Sequence, residues 1–267
     1  MDIRYYGWSG LTVRHANTLV GFDLFGAAVK WRTLDTAQTT ILCLTHGHPE
    51  HCGSLRSLLL ADDGRSRLPT TYLVSSASVA DYVARGGALP SDNVYGVGAN
   101  ETVSISGTRV SAFAWKHMPL LPSGIQPKVE YIAHVLSHPI ELMRIGLSSL
   151  SLPMNAPMLG FHITFADGCT VLNYAEGLHR LTERREVEQV AQYLPADTLL
   201  FAVEPEDVDV IPHWVEILHP STVYLYEAHR PWRELFRLPY VDLSDYSQRL
   251  SNRFKQTQFR ALLLPGN

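Results

Sequence analysis

Cysteine is scarce in this 267-residue chain. The three that occur, Cys43, Cys52 and Cys169, cannot all pair internally, so the chain reads as a protein of a reducing, cytoplasmic compartment and not as a disulfide scaffold. Long hydrophobic runs are missing too. No stretch reaches transmembrane length without polar interruption, which predicts no membrane span, and the opening MDIRYYGWSG has neither the basic leader nor the apolar run of a secretory signal. Positive charge is in short supply: 22 Lys+Arg stand against 26 Asp+Glu, a formal net charge of −4, with no long basic arm. A nucleic-acid-processing surface therefore lacks its electrostatic footing. No Gly/Ser linker or composition break separates the halves, so one domain over 1–267 is expected, with 236–267 a C-terminal docking tail ending in the apolar Leu262 to Leu264.

What is present is apolar material for one sizeable core, 46% of the chain, arranged in short runs. Ile3 to Tyr6, Leu11 to Arg14 and Thr18 to Phe22 read as antiparallel strands joined by glycine turns, and Thr40 to Leu44 as a buried strand. Ser54 to Ala61 and Ser78 to Arg85 read as helices with a strand, Thr71 to Ser75, between them. The second half repeats the rhythm. Hairpins are expected about Gly107 and Asp167-Gly168, strands over Leu199 to Val203 and Thr222 to Tyr226, and helices over Glu183 to Tyr193, Val208 to Leu218 and Pro231 to Phe236. Proline-rich Met118 to Lys128 reads as a rigid irregular loop, and Leu152 to Gly160 as a second one; both are candidate selectivity lids. Two sheet-and-helix modules in one domain give a four-layer αββα sandwich as the expected α/β architecture.

Histidine is enriched, with 12 copies, and three of them fall in THGHPEHCG, directly after the Thr40 to Leu44 strand. His46, His48 and His51 are spaced by two and three residues, which a curved loop can converge and a helix cannot. Gly47 lets that backbone turn closely, and Glu50 stands beside His51 as a further oxygen ligand or as an acceptor that orients a ligating imidazole. Neutral imidazoles and carboxylates hold zinc, iron, cobalt or manganese, so the donor set points to a metal without selecting one. The competing reading is a set of hydrogen-bonding loop histidines.

THGHPEHCG resembles the HxHxDH metal motif of the metallo-β-lactamase superfamily, with Glu50 in the usual aspartate position, and the chain looks like the compact, lactonase-like branch of that superfamily. Further segments fall in order around it. Tyr6-Gly7-Trp8-Ser9-Gly10 resembles the branch's opening glycine turn, and Gly21-Phe22-Asp23-Leu24 its early strand ending in aspartate. His117 matches a histidine delivered by a later strand. Asn173-Tyr174-Ala175-Glu176-Gly177 resembles the strand-end segment whose acid bridges metals, again with glutamate for aspartate, and His229 fits the histidine after the last core strand. The resemblance covers roughly the first 235 residues.

Carried over position by position, the resemblance implies one divalent ion held by His46, His48 and His117, and a second held by Glu50, His51, Glu176 and His229, with Glu176 bridging. Zinc is the first expectation, manganese or iron the alternatives. Such a centre activates water for attack on a carbonyl or phosphorus atom, with Glu50 and Glu176 as the catalytic carboxylates. The expected activity is hydrolysis of a small-molecule lactone, ester or amide. A phosphodiesterase is the first alternative, favoured if Lys116 or Arg230 meets a phosphate beside the metals, and a non-hydrolytic iron or metal-binding protein is the second. Cys52 reads as a buried thiol in preference to a soft ligand. His134, His138, His162, His179, His213 and His219 read as structural or surface residues, and the aromatic stretch from Tyr224 to Tyr240 as either pocket wall or core.

Overall fold

Short β-rich runs build two sheets. In this computed structural model, which describes residues 1–24, 29–31, 34, 37–53, 55–85, 87, 89–117, 125–150, 152–236 and 238–264, the first sheet has six strands in chain order. They are β1 (Asp2–Gly7), β2 (Gly10–His15), β3 (Thr18–Phe22), β4 (Thr39–Cys43), β5 (Thr71–Ser75) and β6 (Val94–Gly96). β1 to β3 form an antiparallel meander, and β3 to β6 run parallel. Parallel neighbours need crossover connections, which here carry α1 (Pro49–Cys52), α2 (Leu55–Leu60) and α3 (Ala77–Ala84).

The second sheet repeats this plan with β7 (Thr102–Ile105), β8 (Thr108–Ala114), β9 (Leu159–Thr164), β10 (Thr170–Asn173), β11 (Thr198–Ala202), β12 (Thr222–Tyr226) and β13 (Gln258–Ala261). It is antiparallel as far as β10 and parallel from β10 to β13. A helical hairpin, α4 (Ile125–Leu136) and α5 (Pro139–Ser149), interrupts it between β8 and β9. The later connections carry α6 (Arg184–Tyr193), α7 (Ile211–Leu218), α8 (Arg230–Leu235) and α9 (Leu243–Arg253).

Period-two alternation sends neighbouring side chains to opposite faces, and both faces are covered. Ile41 on β4 and Val171 on β10 join Phe22, Phe161 and Leu200 in the layer between the sheets. Their neighbours point outward: Leu42 packs with Leu55 and Val83 under the first set of helices, and Leu172 with Val187, Trp214 and Leu250 under the second. The order helix, sheet, sheet, helix is the four-layer αββα sandwich.

Three expectations change. The C-terminal segment expected to be a docking tail is regular structure: α9 buries Leu243, Tyr246 and Leu250, and β13 extends the sheet beside β12. Asp242 caps α9, accepting from the amides of Ser244 and Asp245 at 3.0 Å each. Its outward polar face hides the apolar stripe in a reading of composition. The loop expected over Met118 to Lys128 is helical from Ile125 onward, because Pro127 stands in the first turn, where its missing N–H costs no hydrogen bond. Its earlier part, 118–124, lies outside the described residues, as does the expected lid position Pro119, and so does Ser54 at the start of an expected helix. The irregular segment expected over Leu152 to Gly160 gives way to β9 at Leu159, which is fully buried in the inter-sheet core. Among the described residues, no helix is long and apolar enough to cross a membrane.

Candidate metal centre

β3, β4, β8, β10, β11 and β12 end at one edge of the sandwich, the edge where sheets of this kind gather reactive groups. Two of the loops that follow, at Asp23 (φ 44°) and Ala175 (φ 49°), and the β1–β2 turn, at Trp8 (φ 51°), turn on non-glycine residues in the left-handed region. Such conformations cost about 1–3 kcal/mol each unless their surroundings hold them. Asp23 is held by its own amide, which donates to the Cys43 carbonyl at 3.1 Å, and by its carboxylate. Oδ1 accepts from the Thr45 amide and Oδ2 from the Thr45 hydroxyl, both at 2.8 Å. Ala175 is held by its amide, which donates to Asn173 Oδ1 at 3.0 Å. Two of these turns precede a residue of the site: Trp8 precedes Ser9, whose hydroxyl donates to Glu176 Oε1, and Ala175 precedes Glu176 itself.

Gly47 answers to a close approach. A Cβ there would lie 2.1 Å from the carbonyl oxygen of Pro153, so only glycine lets the motif loop pass under the segment before β9. The motif is not all loop, since His48 stands at the N-cap of α1 and His51 lies within that short helix.

The ligand atoms of His46, His48 and His117 lie within 4.8 Å of one another, and those of His46, His51 and Glu176 do so as well. The imidazoles are oriented through Nδ1. His46 Nδ1 meets the Thr45 hydroxyl at 3.0 Å, His51 Nδ1 meets Asp23 Oδ2 at 3.1 Å, and His229 Nδ1 meets Glu204 Oε1 at 2.7 Å. This arrangement turns Nε2 toward the common space. There His46 Nε2, His51 Nε2 and Glu176 Oε2 are buried with no hydrogen-bond partner. Buried polar atoms are rarely orphaned, and three converging on one space form a donor set that suits a divalent cation. The residues fit a metal.

Glu50 and His229 stand at the rim and belong to neither close group. Glu50 Oε1 lies 3.6 Å from His48 Nδ1, and His229 packs edge-on to Trp8 with ring centroids 6.5 Å apart. Glu176 is 3.5 Å from His51 Nε2 and 3.8 Å from His117 Nε2.

Electrostatics without the metal follow from this crowding. Burial, reinforced by the neighbouring His51 and His48, holds His46 well below the ordinary histidine range, so it is a neutral donor. Burial also opposes charge on His51, but the Glu176 and Asp23 carboxylates outweigh it and raise that group to about 9. His229 reaches about 9 in the same way, burial being overcome by Glu204. Burial would raise Glu176, yet His51 and His229 keep it below the usual carboxylate value. For Glu50 burial is likewise outweighed, by the adjacent His48 imidazole and the charge of His51, which bring it down to about 2.

Several candidates are placed elsewhere. Cys52 is fully buried among the apolar residues beneath the first sheet, its Sγ 3.4 Å from the His48 carbonyl. Lys116 pairs with Glu183 and Glu186 at 2.8 Å, and Arg230 with Glu227 at 3.0 Å and Glu234 at 2.7 Å. His179 supports the site indirectly, its Nε2 bonding the Lys116 carbonyl, one residue before His117, at 3.0 Å. His162 bonds the Pro195 carbonyl, and Tyr226 is core. Sequence reasoning gave no role to Ser9, Thr45, Glu204 or Arg233. Glu204, which also accepts from Arg233 Nε at 2.8 Å, had a legible signal: it is an acid just past a buried strand, placed relative to β11 much as Glu176 is to β10.

No protein-family model and no curated protein matches the sequence. Solved structures do resemble the fold. The chain is similar to Igni18, a novel metallo hydrolase from the hyperthermophilic archaeon Ignicoccus hospitalis, with a TM-score of 0.62 at 15% identity over 99% of this chain and 95% of that one. It is similar to CmlA, a diiron β-hydroxylase from Streptomyces venezuelae, with a TM-score of 0.58 at 17% identity over 98% of this chain and 52% of that one. For YhfI of Bacillus subtilis, a metallo-β-lactamase fold protein, the TM-score is 0.55 at 10% identity over 96% of this chain and 88% of that one. The architecture is thus the metallo-β-lactamase-like fold.

Proposed function

We propose that this protein is a metal-dependent hydrolase of a small molecule, with a lactone, ester or amide as the bond cleaved. The observation that carries the reading is the convergence of buried His46, His51 and Glu176 on one space at the end of the strands, where His46 Nε2, His51 Nε2 and Glu176 Oε2 have no hydrogen-bond partner. In this proposal His46, His48 and His117 hold one divalent ion, and His51, Glu176 and His229 hold a second. Bound there, the ions lower the pKa of water and stabilise negative charge developing on the substrate oxygen.

The side chains divide the remaining work. Glu176, buried and ionised, supplies charge between the two histidine groups, and the Ser9 hydroxyl fixes its Oε1. Glu50 stands outside both close ligand groups, with its Oε1 3.6 Å from His48 Nδ1. We therefore assign it to orienting His48. Asp23 with Thr45, and Glu204 with Arg233, keep His46, His51 and His229 in their required orientations.

A substrate with an apolar portion suits the surroundings. Trp8 borders His229, and α5 packs against α1 of the motif. The α4–α5 hairpin exposes Ile132, Leu136, Ile140, Met143 and Leu147. The phosphodiesterase reading needs a free cation beside the metals, and both candidates, Lys116 and Arg230, are engaged by carboxylates. The iron reading draws on the two glutamates and on the likeness to CmlA.

The test is turnover of a panel of lactones, esters and amides before and after chelation. Hydrolysis that chelation abolishes and zinc or manganese restores supports the proposal. Turnover that survives complete metal removal contradicts it, and an iron-loaded protein that consumes dioxygen without hydrolysing the panel favours the iron reading.

A further inference from the structure

A second cluster of metal-binding side chains stands at the opposite end of the strands. β2 begins at Gly10, beside the Ser9 that contacts Glu176, and ends at His15; β10 ends near Glu176 and begins at Thr170, beside Cys169. At that far end His15 reaches across from the first sheet to the β9–β10 turn of the second. Its Nε2 lies 2.6 Å from Asp167 Oδ2, and Cys169 Sγ lies 3.5 Å from the same oxygen. One nitrogen, one oxygen and one sulfur thus lie within 4.8 Å of one another.

The turn is built to hold this geometry. Gly168 has φ +91°, a conformation that glycine adopts without strain, and its amide donates to the Phe165 carbonyl at 2.9 Å. The Cys169 amide donates to Asp167 Oδ1 at 3.1 Å, which fixes the carboxylate and leaves Oδ2 facing both His15 and Cys169. The His15 ring is fixed against Phe165, with centroids 4.8 Å apart. The donors sit close to where a tetrahedral ion needs them. With zinc about 2.0 Å from nitrogen or oxygen and about 2.3 Å from sulfur, neighbouring ligand atoms are separated by roughly 3.2–3.7 Å. The sulfur is already at that spacing from Oδ2, and the imidazole need only open from Asp167 by about half an ångström. Asp167 is half exposed, its side chain at 55%, which leaves water access to a fourth position.

We propose that His15, Asp167 and Cys169 form a second, structural site for a borderline divalent cation of the zinc and cadmium type, stapling the two sheets together at the end remote from the catalytic centre. The mixed N, O and S donor set selects such an ion over magnesium or calcium, which prefer all-oxygen cages. Binding replaces the Cys169 S–H bond with an S–metal bond and releases that proton to solvent. The Nε2 lone pair of His15 binds the ion, with the imidazole proton carried on Nδ1, and Asp167 Oδ2 exchanges its contact with His15 for the ion.

Cadmium is the probe, because its bond to a thiolate gives an ultraviolet charge-transfer band that histidine and carboxylate ligands do not. Cys43 and Cys52 are buried, and neither belongs to a described ligand group, so the band reports on Cys169. The full-length protein, its catalytic centre loaded as purified and kept reduced by a phosphine, is titrated with Cd2+. The band should rise to saturation at one equivalent and be absent in Cys169→Ser, while His15→Gln and Asp167→Asn raise the midpoint at least tenfold. Cys169→Ser should also lose part of the rise in melting temperature that Cd2+ gives the native protein. The proposal is overturned if no band appears, if it survives in Cys169→Ser, or if His15→Gln and Asp167→Asn titrate like the native protein, which is the behaviour of a lone surface thiol. Near-ultraviolet circular dichroism verifies that each variant is folded. None of these readouts depends on hydrolysis, so they stand or fall apart from the proposed activity.

Discussion

Glu204 Oε1 lies 2.7 Å from Nδ1 of His229, and the other oxygen of the same carboxylate accepts from Arg233 Nε at 2.8 Å. A histidine 25 residues further along the chain is thereby oriented by an acid that is itself clamped. Replacing such an outer partner of a ligating imidazole typically costs 10–100-fold in metal affinity or activity. Glu204→Gln should weaken metal binding by at least about tenfold and leave the fold intact, since Arg233 keeps Glu206 as a partner. Metal titration by calorimetry beside a thermal melt checks this; unchanged affinity would remove His229 from the proposed centre.

Protons compete with the metal. In the metal-free protein His51 and His229 sit at about 9, above the ordinary histidine value of 6.5, so both carry protons at pH 7 that an ion must displace. Apparent metal affinity should therefore rise from pH 6.5 to pH 9, with proton release measurable by calorimetry in buffers of different ionisation enthalpy. The stability of the metal-free form should run the other way. A raised value in the folded state contributes stability that is full below pH 6.5 and is lost as pH rises through about 9. Metal-free protein that gains stability over this interval would contradict the assignment.

Gly47→Ala places a methyl group 2.1 Å from the Pro153 carbonyl oxygen. The loop or the segment before β9 must shift, at a cost of about 1–3 kcal/mol, and His46 and His48 shift with it. Denaturant unfolding should show that loss together with weaker metal binding. Native-like stability with native affinity would mean that the two segments separate freely.

Lys116→Ala and Arg230→Ala test the substrate class. Both side chains are satisfied by carboxylates away from the ligand atoms, and on a carbonyl substrate each variant should retain turnover within about threefold of the native protein. A loss of a hundredfold or more in either, confined to a phosphodiester substrate, would favour phosphodiester cleavage.

Much of the fold was legible because the strands bury both faces and are short, so runs such as Thr40 to Leu44 and Thr222 to Tyr226 stand out against their turns. The motif histidines were legible for a related reason: three in six residues after a buried strand have few structural explanations. What escaped was set by long-range geometry. Thr45 is an unremarkable threonine until Asp23, 22 residues away, bonds both its amide and its hydroxyl. Ser9 acquires a role only when the sheets meet, because its partner Glu176 lies 167 residues on. In α9 and β13 the apolar positions are few and widely spaced, and pairing with β12 supplies what local pattern does not.

The central claim is that His46, His48, His51, His117, Glu176 and His229 hold a two-ion hydrolytic centre. The most direct measurement is a crystal structure of protein purified without a tag, with diffraction recorded across the metal absorption edges. Two ions about 3–4 Å apart are expected at these residues, with Glu176 contacting both. A single ion bound elsewhere, or His117 and His229 turned away from the metals, would contradict that claim.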